Sequence, residues 1–109
     1  MRYLVVLESP YRGDKKKHKA YLQRALRDSV EKHNEAPVAS HQLFTDAYDD
    51  NNPAQRHLGI ELQKCFILQS TCVVVYVDYG ISSGMEQGIE FAKKEGVPII
   101  FREIGRNPE

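Results

Sequence analysis

The sequence predicts an α/β domain built on a mainly parallel sheet, because strand-like and helix-like segments alternate along the chain. Residues 73–77 form a continuous apolar run, which is typical of a strand buried on both faces of a parallel sheet. After a short polar corner, apolar side chains recur at helical spacing, with Met85, Ile89 and Ala92 on one face. The order βαβ, long loop, αβαβ therefore predicts four strands packed in a layered sandwich.

In the first half of the chain, residues 2–7 form an apolar run that predicts a central strand. Asp14 is suited to cap a helix over residues 15–33, and Asn34 is suited to end that helix. Residues 36–39 predict a short second strand. These segments make up the first strand–helix–strand unit.

A polar segment, residues 40–52, follows the second strand and is predicted to be a long loop. A loop of this length in a small domain is usually functional or disordered. Pro53 fits the first turn of a helix that Asn51 or Asn52 caps and that continues to Gln69.

In the second half of the chain, residues 78–84 form the polar corner, and the third long helix ends near Gly96. Residues 97–101 predict the last strand, and residues 105–109 predict a frayed tail. The length is that of one domain, which we assign to residues 1–104.

Composition excludes several classes of function. The 15 basic and 15 acidic residues cancel, which argues against a nucleic-acid partner. No apolar run reaches membrane-spanning length and Met1 leads directly into a strand, so we expect a cytoplasmic protein without membrane span or signal peptide. Cys65 and Cys72 lie in apolar surroundings and are expected to be buried free thiols.

Three loops are expected to meet at the carboxyl edge of the sheet, where open α/β sheets bind ligands. They cover residues 8–14, 41–52 and 78–84. Their charged and aromatic side chains include Tyr11, Arg12, Asp46, Asp49, Asp50 and Asp78. Carboxylates, hydroxyls and aromatic rings suit a ribose and a base, and an arginine beside a helix start suits a phosphate.

Motifs for a cofactor or a metal are missing from the sequence. It contains neither the Gly-x-Gly-x-x-Gly fingerprint nor a P-loop. Of the four histidines, His41 alone lies in a candidate site loop, and a hydrogen-bonded loop histidine is the more common situation than a metal ligand. We therefore expect no cofactor and no metal.

Five segments, residues 8–14, 39–41, 49–51, 58–60 and 78–89, occur in an order that resembles a family of small uncharacterised bacterial and phage proteins. The resemblance covers nearly the whole chain. That family is similar in turn to nucleoside 2-deoxyribosyltransferases and 2′-deoxynucleoside 5′-monophosphate N-hydrolases. The similarity to the enzymes consists of Ser-Pro-Tyr after the first strand, Ser-x-Gly at a helix start, and the order of elements.

The resemblance implies a flavodoxin-like, Rossmann-like three-layer sandwich that binds a (deoxy)nucleoside or its 5′-monophosphate. In those enzymes a glutamate inside the third long helix attacks the anomeric carbon of the sugar, by the logic of glycoside hydrolysis. Tyr11 would lie near that glutamate, and Ser82 or Ser83 would bind a phosphate or sugar oxygen. The enzymes often complete each site with a neighbouring subunit, so a homo-oligomer is implied, in a bacterial cell or a phage-infected host.

The sequence departs from the enzyme pattern at the nucleophile. The enzymes place it six positions after the serine, and counting from Ser82 gives Gly88. Glu86 and Glu90 point about 200° away from position 88 on a helix, so neither is a simple replacement. The enzymes also carry aspartates where this chain has Gln63 and Thr71. A glycine inside a helix lets a ligand or another backbone approach closely.

Three hypotheses follow. The first is an N-glycosidase or deoxyribosyltransferase with a rearranged acid, which would be Glu86, Asp78 or Glu8. The second is a non-catalytic nucleotide sensor or sponge, and the third is an interaction module that uses the fold as a scaffold. Glu86 and Asp78 are the predicted catalytic residues. The residues predicted to bind the ligand are Ser9, Pro10, Tyr11, Arg12, Asp14, His41, Asp49, Asp50, Asn51, Ser82, Ser83, Gly84, Met85 and Gly88.

Overall fold

A computed structural model describes residues 1–44, 47–49 and 51–106 of the chain. Its elements are β1 (Tyr3–Glu8), α1 (Lys15–His33), β2 (Glu35–Val38), α2 (Ser40–Leu43), α3 (Pro53–Gln69), β3 (Cys72–Tyr76), α4 (Ser83–Glu95) and β4 (Ile99–Arg102). The predicted α/β class is confirmed. The predictions for Asp46, Asp50 and residues 107–109 lie outside the described residues.

The four strands form one parallel sheet in the order β2-β1-β3-β4. This is the flavodoxin-like order with four strands, and it places the topological switch point between β1 and β3. Val6 pairs with Val73 and Glu8 pairs with Val75 across that boundary. The carboxyl ends of the two central strands therefore lie side by side, where such sheets bind their ligands.

Helices cover the two faces of the sheet and make three layers. On one face, Tyr21 and Ala25 of α1 pack against Leu7 and Val74. On the other, Ile67 of α3 and residues of α4 such as Ile89 pack against Val6 and Val75. Because successive side chains of a strand point to opposite faces, the buried apolar run of β3 supplies both cores.

The helix ends agree with their predicted caps. The Asp14 side chain accepts a hydrogen bond from the backbone N–H of Lys17, and Asn34 ends α1 in the left-handed conformation. Asn52 caps α3 through the N–H groups of Ala54 and Gln55. Local sequence is sufficient to set these boundaries, since each cap binds backbone groups only a few residues away.

Several boundaries differ from the sequence prediction. The segment 40–52 was predicted as loop throughout, but its first residues form α2, which is a single turn. β1 extends one residue further than predicted and includes Glu8, a buried carboxyl. β4 begins at Ile99 rather than at residue 97, because Val97 donates its N–H to Ala92 in the turn that closes α4.

The prediction that Cys65 is buried is wrong, since its side chain is exposed, whereas Cys72 is buried as expected. The helix α3 is apolar on more than one side, so apolar neighbours in sequence did not indicate burial. Ile67 is its one fully buried residue among those described, while Leu58 and Leu68 remain exposed.

Among the described helices, none is both long and apolar enough to cross a membrane.

Candidate functional site

A cavity of about 160 Å³ opens at the carboxyl edge of the sheet, between the ends of β1 and β3. Its walls come from the loop after β1, from α2 and α3, and from the start of α4. The volume is below the roughly 300–1,000 Å³ of typical ligand pockets. A ligand of nucleoside size would thus place one part inside the cavity and the rest at its mouth.

Glu8 lines this cavity with a side chain that is 2% exposed. It follows Leu4 and Val6 at the strand period of two, so it projects from β1 toward α3 and α4. Its Oε2 accepts a hydrogen bond from Gln63 Nε2 at 2.6 Å. Burial raises the pKa of Glu8 to about 8, although the Gln63 hydrogen bond acts in the opposite direction. The carboxyl is therefore mainly neutral at pH 7.

Gly88 makes room for this carboxyl. A Cβ atom built on Gly88 would overlap Glu8 Oε2 and would lie 2.6 Å from Gln63 Nε2. Real Cβ atoms do not approach other atoms so closely, so any larger residue at position 88 would displace Glu8 or Gln63. The carboxyl of Glu8 thus occupies the space that a side chain at position 88 would take.

The N-terminus of α4 forms another wall, through Ser82, Ser83, Gly84 and Met85. Ser82 is the N-cap, and its Oγ accepts a hydrogen bond from the N–H of Met85 at 3.3 Å. The first N–H groups of a helix have no partner within the helix, and the helix dipole favours negative charge there. This wall is therefore suited to an anion or to hydroxyl oxygens.

His41 and Ser40 line the cavity from α2. His41 Nε2 lies 3.2 Å from Ser9 Oγ, and its ring stands edge-on to Tyr11 with centroids 6.4 Å apart. Burial lowers the pKa of His41 to about 4, so the imidazole is neutral at pH 7. Among the described residues, neither His41 Nδ1 nor the buried Ser40 Oγ has a hydrogen-bond partner. Such buried polar atoms are rare unless a ligand or water satisfies them.

Among the described residues that line the cavity, the formal charges at pH 7 come from arginines. Arg12 and Arg56 line it, while Glu8 and His41 are neutral for the reasons given above. Guanidinium groups bind phosphate and carboxylate oxygens with two parallel hydrogen bonds. Together with the start of α4, they favour an anionic or oxygen-rich ligand.

Asp78, one of the two predicted catalytic residues, does not line the cavity. Its carboxylate accepts hydrogen bonds from the Tyr21 hydroxyl at 2.6 Å and from the N–H groups of Ile104 and Gly105 at 2.8 and 2.7 Å. Burial alone would raise its pKa, but these hydrogen bonds hold it below its usual value. Asp78 therefore fastens the chain after β4 to α1, which is a structural task.

Glu86, the other predicted catalytic residue, is exposed on α4 and also lies outside the cavity lining. Several predicted binding residues also lie outside the cavity lining. Asp14 caps α1, and Asp49 accepts a hydrogen bond from the N–H of Asn51. The remaining residues, which the lining does not include, are Pro10, Asn51 and Gly88. Gly88 nevertheless shapes the cavity through Glu8.

The structure brings together eight of the predicted binding residues, which are Ser9, Tyr11, Arg12, His41, Ser82, Ser83, Gly84 and Met85. Glu8, which the sequence analysis considers as a rearranged acid, also lines the cavity. The lining residues that the sequence analysis did not assign to the site are Ser40, Phe44, Tyr48, Gln55, Arg56, Gly59, Ile60, Gln63 and Gln87. Arg56, Gly59 or Ile60, and Gln63 follow helical spacing on one side of α3. From this spacing, the sequence could have predicted that these residues of α3 face the same space.

The model of a family described as a domain of unknown function (DUF7768) matches residues 3–102. No curated protein matches the chain.

Proposed function

We propose that this chain, which belongs to the DUF7768 family, binds a nucleoside or a nucleoside 5′-monophosphate in the cavity between β1 and β3. The observation that carries the proposal is the combination of groups in one lining. Aromatic rings, two arginines, hydroxyl groups and a helix N-terminus all border a cavity at the switch point of the sheet. The resemblance to nucleoside-processing enzymes led to the same prediction.

The rings of Tyr11, Phe44 and Tyr48 support a base-binding role, because every nucleobase presents a flat π-face to stack on an aromatic side chain. A sugar needs hydrogen-bond partners, and Ser9, Ser40 and Gln63 supply them in the same lining. A flat, partly apolar ligand with several hydroxyls is thus matched by the chemistry of the walls.

Arg12, Arg56 and the N-terminus of α4 support the binding of a 5′-phosphate. The monophosphate is favoured over the free nucleoside, because Arg56 and the N-terminus of α4 border the cavity and attract negative charge. A triphosphate is disfavoured, since the chain has no P-loop to hold a second and a third phosphate.

The test is an ultrafiltration experiment with protein in excess over a panel of nucleosides, deoxynucleosides and their 5′-monophosphates. We expect one class to be depleted from the filtrate and to return after the protein is denatured. A panel that passes through unchanged at neutral pH would contradict the proposal.

Matched variants locate the site. We expect Arg56→Ala to weaken the binding of 5′-monophosphates more than that of nucleosides. The control is Arg27→Ala, which changes an exposed arginine on α1 outside the cavity and should leave both affinities unchanged. We expect Tyr11→Ala to weaken the binding of all panel members. Tyr3 is an exposed tyrosine at the opposite end of β1, and we expect Tyr3→Ala to weaken the binding of none. Equal effects of the two members of either pair would place the ligand elsewhere.

Cleavage of the N-glycosidic bond is the second candidate function, and one observation favours it. Glu8 places a carboxyl group in the cavity although the helix position of the enzymes' glutamate is a glycine. The same filtrates answer the question, because cleavage releases a free base that chromatography separates from the nucleoside. Base release that survives Glu8→Gln would remove Glu8 from this role.

Self-association is a further proposal, and it concerns a different surface. Leu58, Cys65 and Leu68 are exposed, and their spacing places them on the side of α3 away from Ile60 and Gln63. Covering these exposed apolar side chains with a second copy of the chain would remove them from water, which is favourable. Sedimentation of the wild type and of Leu68→Lys tests this, with a dimer expected for the wild type and a monomer for the variant.

A further inference from the structure

We propose that Glu8 meets the bound ligand as a neutral carboxylic acid that donates a hydrogen bond, so that the cavity selects a ligand with an oxygen or nitrogen acceptor at that point. This inference rests on the proposed function and adds the chemistry of one contact. It also makes ligand binding sensitive to alkaline pH.

The first argument is the position of the carboxyl. Glu8 is 2% exposed and still lines the cavity, so a ligand in the cavity would lie against its carboxyl group. Gly88 leaves room for that carboxyl, since a Cβ there would collide with Glu8 Oε2. The main chain of α4 and the strand β1 thus hold the carboxyl in place from two sides.

The second argument is the partner of the carboxyl. Gln63 is uncharged, and its Nε2 donates to Glu8 Oε2. Among the described residues, Glu8 has no ion-pair partner, and its Oε1 has no hydrogen-bond partner. A buried carboxyl without a counter-ion is held in its protonated form, since an isolated charge in such a place is costly. The second oxygen is therefore available to donate.

Among the described lining residues, the other titratable groups are Arg12 and Arg56, the neutral His41, and the phenols of Tyr11 and Tyr48. In the free protein, burial raises the pKa of Glu8 to about 8, and the hydrogen bond from Gln63, which acts in the opposite direction, does not cancel this effect. A bound anion adds negative charge nearby and favours the protonated form further. Ligand binding and protonation of Glu8 consequently support each other.

The experiment combines a titration without ligand and a titration with ligand. The side-chain carboxyl ¹³C resonance of Glu8, assigned by its loss in Glu8→Gln, is followed in the free protein as the pH is raised. The affinity of deoxyadenosine and of deoxyadenosine 5′-monophosphate is then measured calorimetrically above about pH 7.5, where the phosphate is fully ionised.

We expect the Glu8 resonance to titrate near pH 8, and the affinity of the wild type to fall by about tenfold for each pH unit above that point. Glu8→Gln keeps a neutral donor, so its affinity stays flat over the same range. Glu90→Gln, an exposed glutamate on α4 outside the cavity, retains the wild-type fall.

Three results overturn the inference. A Glu8 resonance that titrates at the ordinary pH of a glutamate means that the carboxyl is ionised in the free protein. If the affinity of the wild type does not change with pH, or falls equally in Glu8→Gln, then Glu8 does not donate a hydrogen bond to the ligand. The proposed nucleotide site is not contradicted by that result. If neither these two probes nor any other member of the nucleoside and monophosphate panel binds at any pH, the proposed function fails and the inference falls with it.

Discussion

Glu8 and Glu35 are two buried carboxyl groups on opposite faces of one sheet, with 2% and 6% of their surface exposed. Arg102 holds Glu35 with two hydrogen bonds of 2.7 Å, and the Ser29 hydroxyl adds a third at 2.8 Å. Within the described part of the chain, Glu8 receives one hydrogen bond, from the neutral amide of Gln63. The two carboxyl groups are therefore similarly buried, but they differ in the hydrogen bonds and charges that compensate for their burial.

The different partners shift the two pKa values in opposite directions. Burial alone would raise the pKa of Glu35, but the hydrogen bonds from Arg102 and Ser29 and the charge of Arg102 lower it below its usual value. For Glu8, burial dominates and raises the pKa to about 8. Glu35 is ionised and completes a structural ion pair, whereas Glu8 remains a neutral acid beside a cavity.

The comparison teaches that burial by itself does not distinguish a structural carboxyl from a functional one. The distinction lies in what compensates the charge when the ligand is absent. A structural group has its full set of partners in the folded chain, as Glu35 has. Glu8 has an incomplete set and an adjoining space, which is the arrangement expected of a binding or catalytic acid.

The largest expected effect comes from removing the partner of Glu35. Arg102→Met leaves that carboxylate buried without a counter-ion, and we expect a loss of about 3–5 kcal/mol in the free energy of unfolding at pH 7. Urea unfolding measures it. The loss should shrink as the pH falls and Glu35 becomes protonated, and the added change Glu35→Gln should recover most of it. A loss below about 1 kcal/mol would show that the pair contributes little.

Asp78→Asn is expected to have the next largest effect on stability. The amide replaces a carboxylate that accepts from Tyr21, Ile104 and Gly105, and hydrogen bonds to a charged group contribute about 1.5–3 kcal/mol. Because Asp78 lies outside the cavity, we expect nucleotide affinity to be unchanged once the variant is measured well below its unfolding temperature. Lost affinity or lost base release in a fully folded variant would return Asp78 to the site.

Gly88→Ala tests the space that separates Glu8 from α4. The added methyl overlaps the ends of the Glu8 and Gln63 side chains, and we expect a packing cost of about 1–3 kcal/mol, which the gain of roughly 1 kcal/mol from replacing a helix glycine partly offsets. Gly59→Ala is the matched control, because it also lies inside a helix and its Cβ would meet nothing within 4 Å. That control is expected to be neutral or stabilising.

A double-mutant cycle sharpens the result for Gly88. If the methyl clashes with the carboxyl, Gly88→Ala costs less in a Glu8→Ala background, because the colliding atoms have been removed. Additive effects would indicate that Glu8 already has room to move away, and would weaken the view that Gly88 is required for its position.

Local patterns in the sequence were sufficient for most of the fold. Asp14 and Asn52 bind backbone groups of their own helices, so neighbouring residues determine where α1 and α3 begin. These features depend on periods of two or four residues, which the chain shows directly.

The site was harder to predict, because its chemistry depends on partners distant in the chain. Asp78 and Glu8 both follow apolar strands and look alike in sequence. Asp78 accepts hydrogen bonds from Tyr21 and from the chain after β4, whereas Glu8 lies between Gln63 and Gly88. Cys65 was misjudged for a related reason, since an apolar helix does not reveal which of its sides the sheet covers.

The most direct test of the contrast is urea unfolding of the wild type and Glu8→Gln between about pH 5 and about pH 9. The unfolded chain releases the Glu8 proton near pH 4.5, whereas the folded chain retains it up to about pH 8. A group with a raised pKa stabilises the protein at low pH, and this stabilisation is lost as the pH rises. We expect wild-type stability to fall relative to Glu8→Gln by ~1.4 kcal/mol per pH unit up to that point, then level off. Parallel curves for the two proteins would mean that Glu8 ionises as an ordinary glutamate, which would contradict its role as a neutral acid.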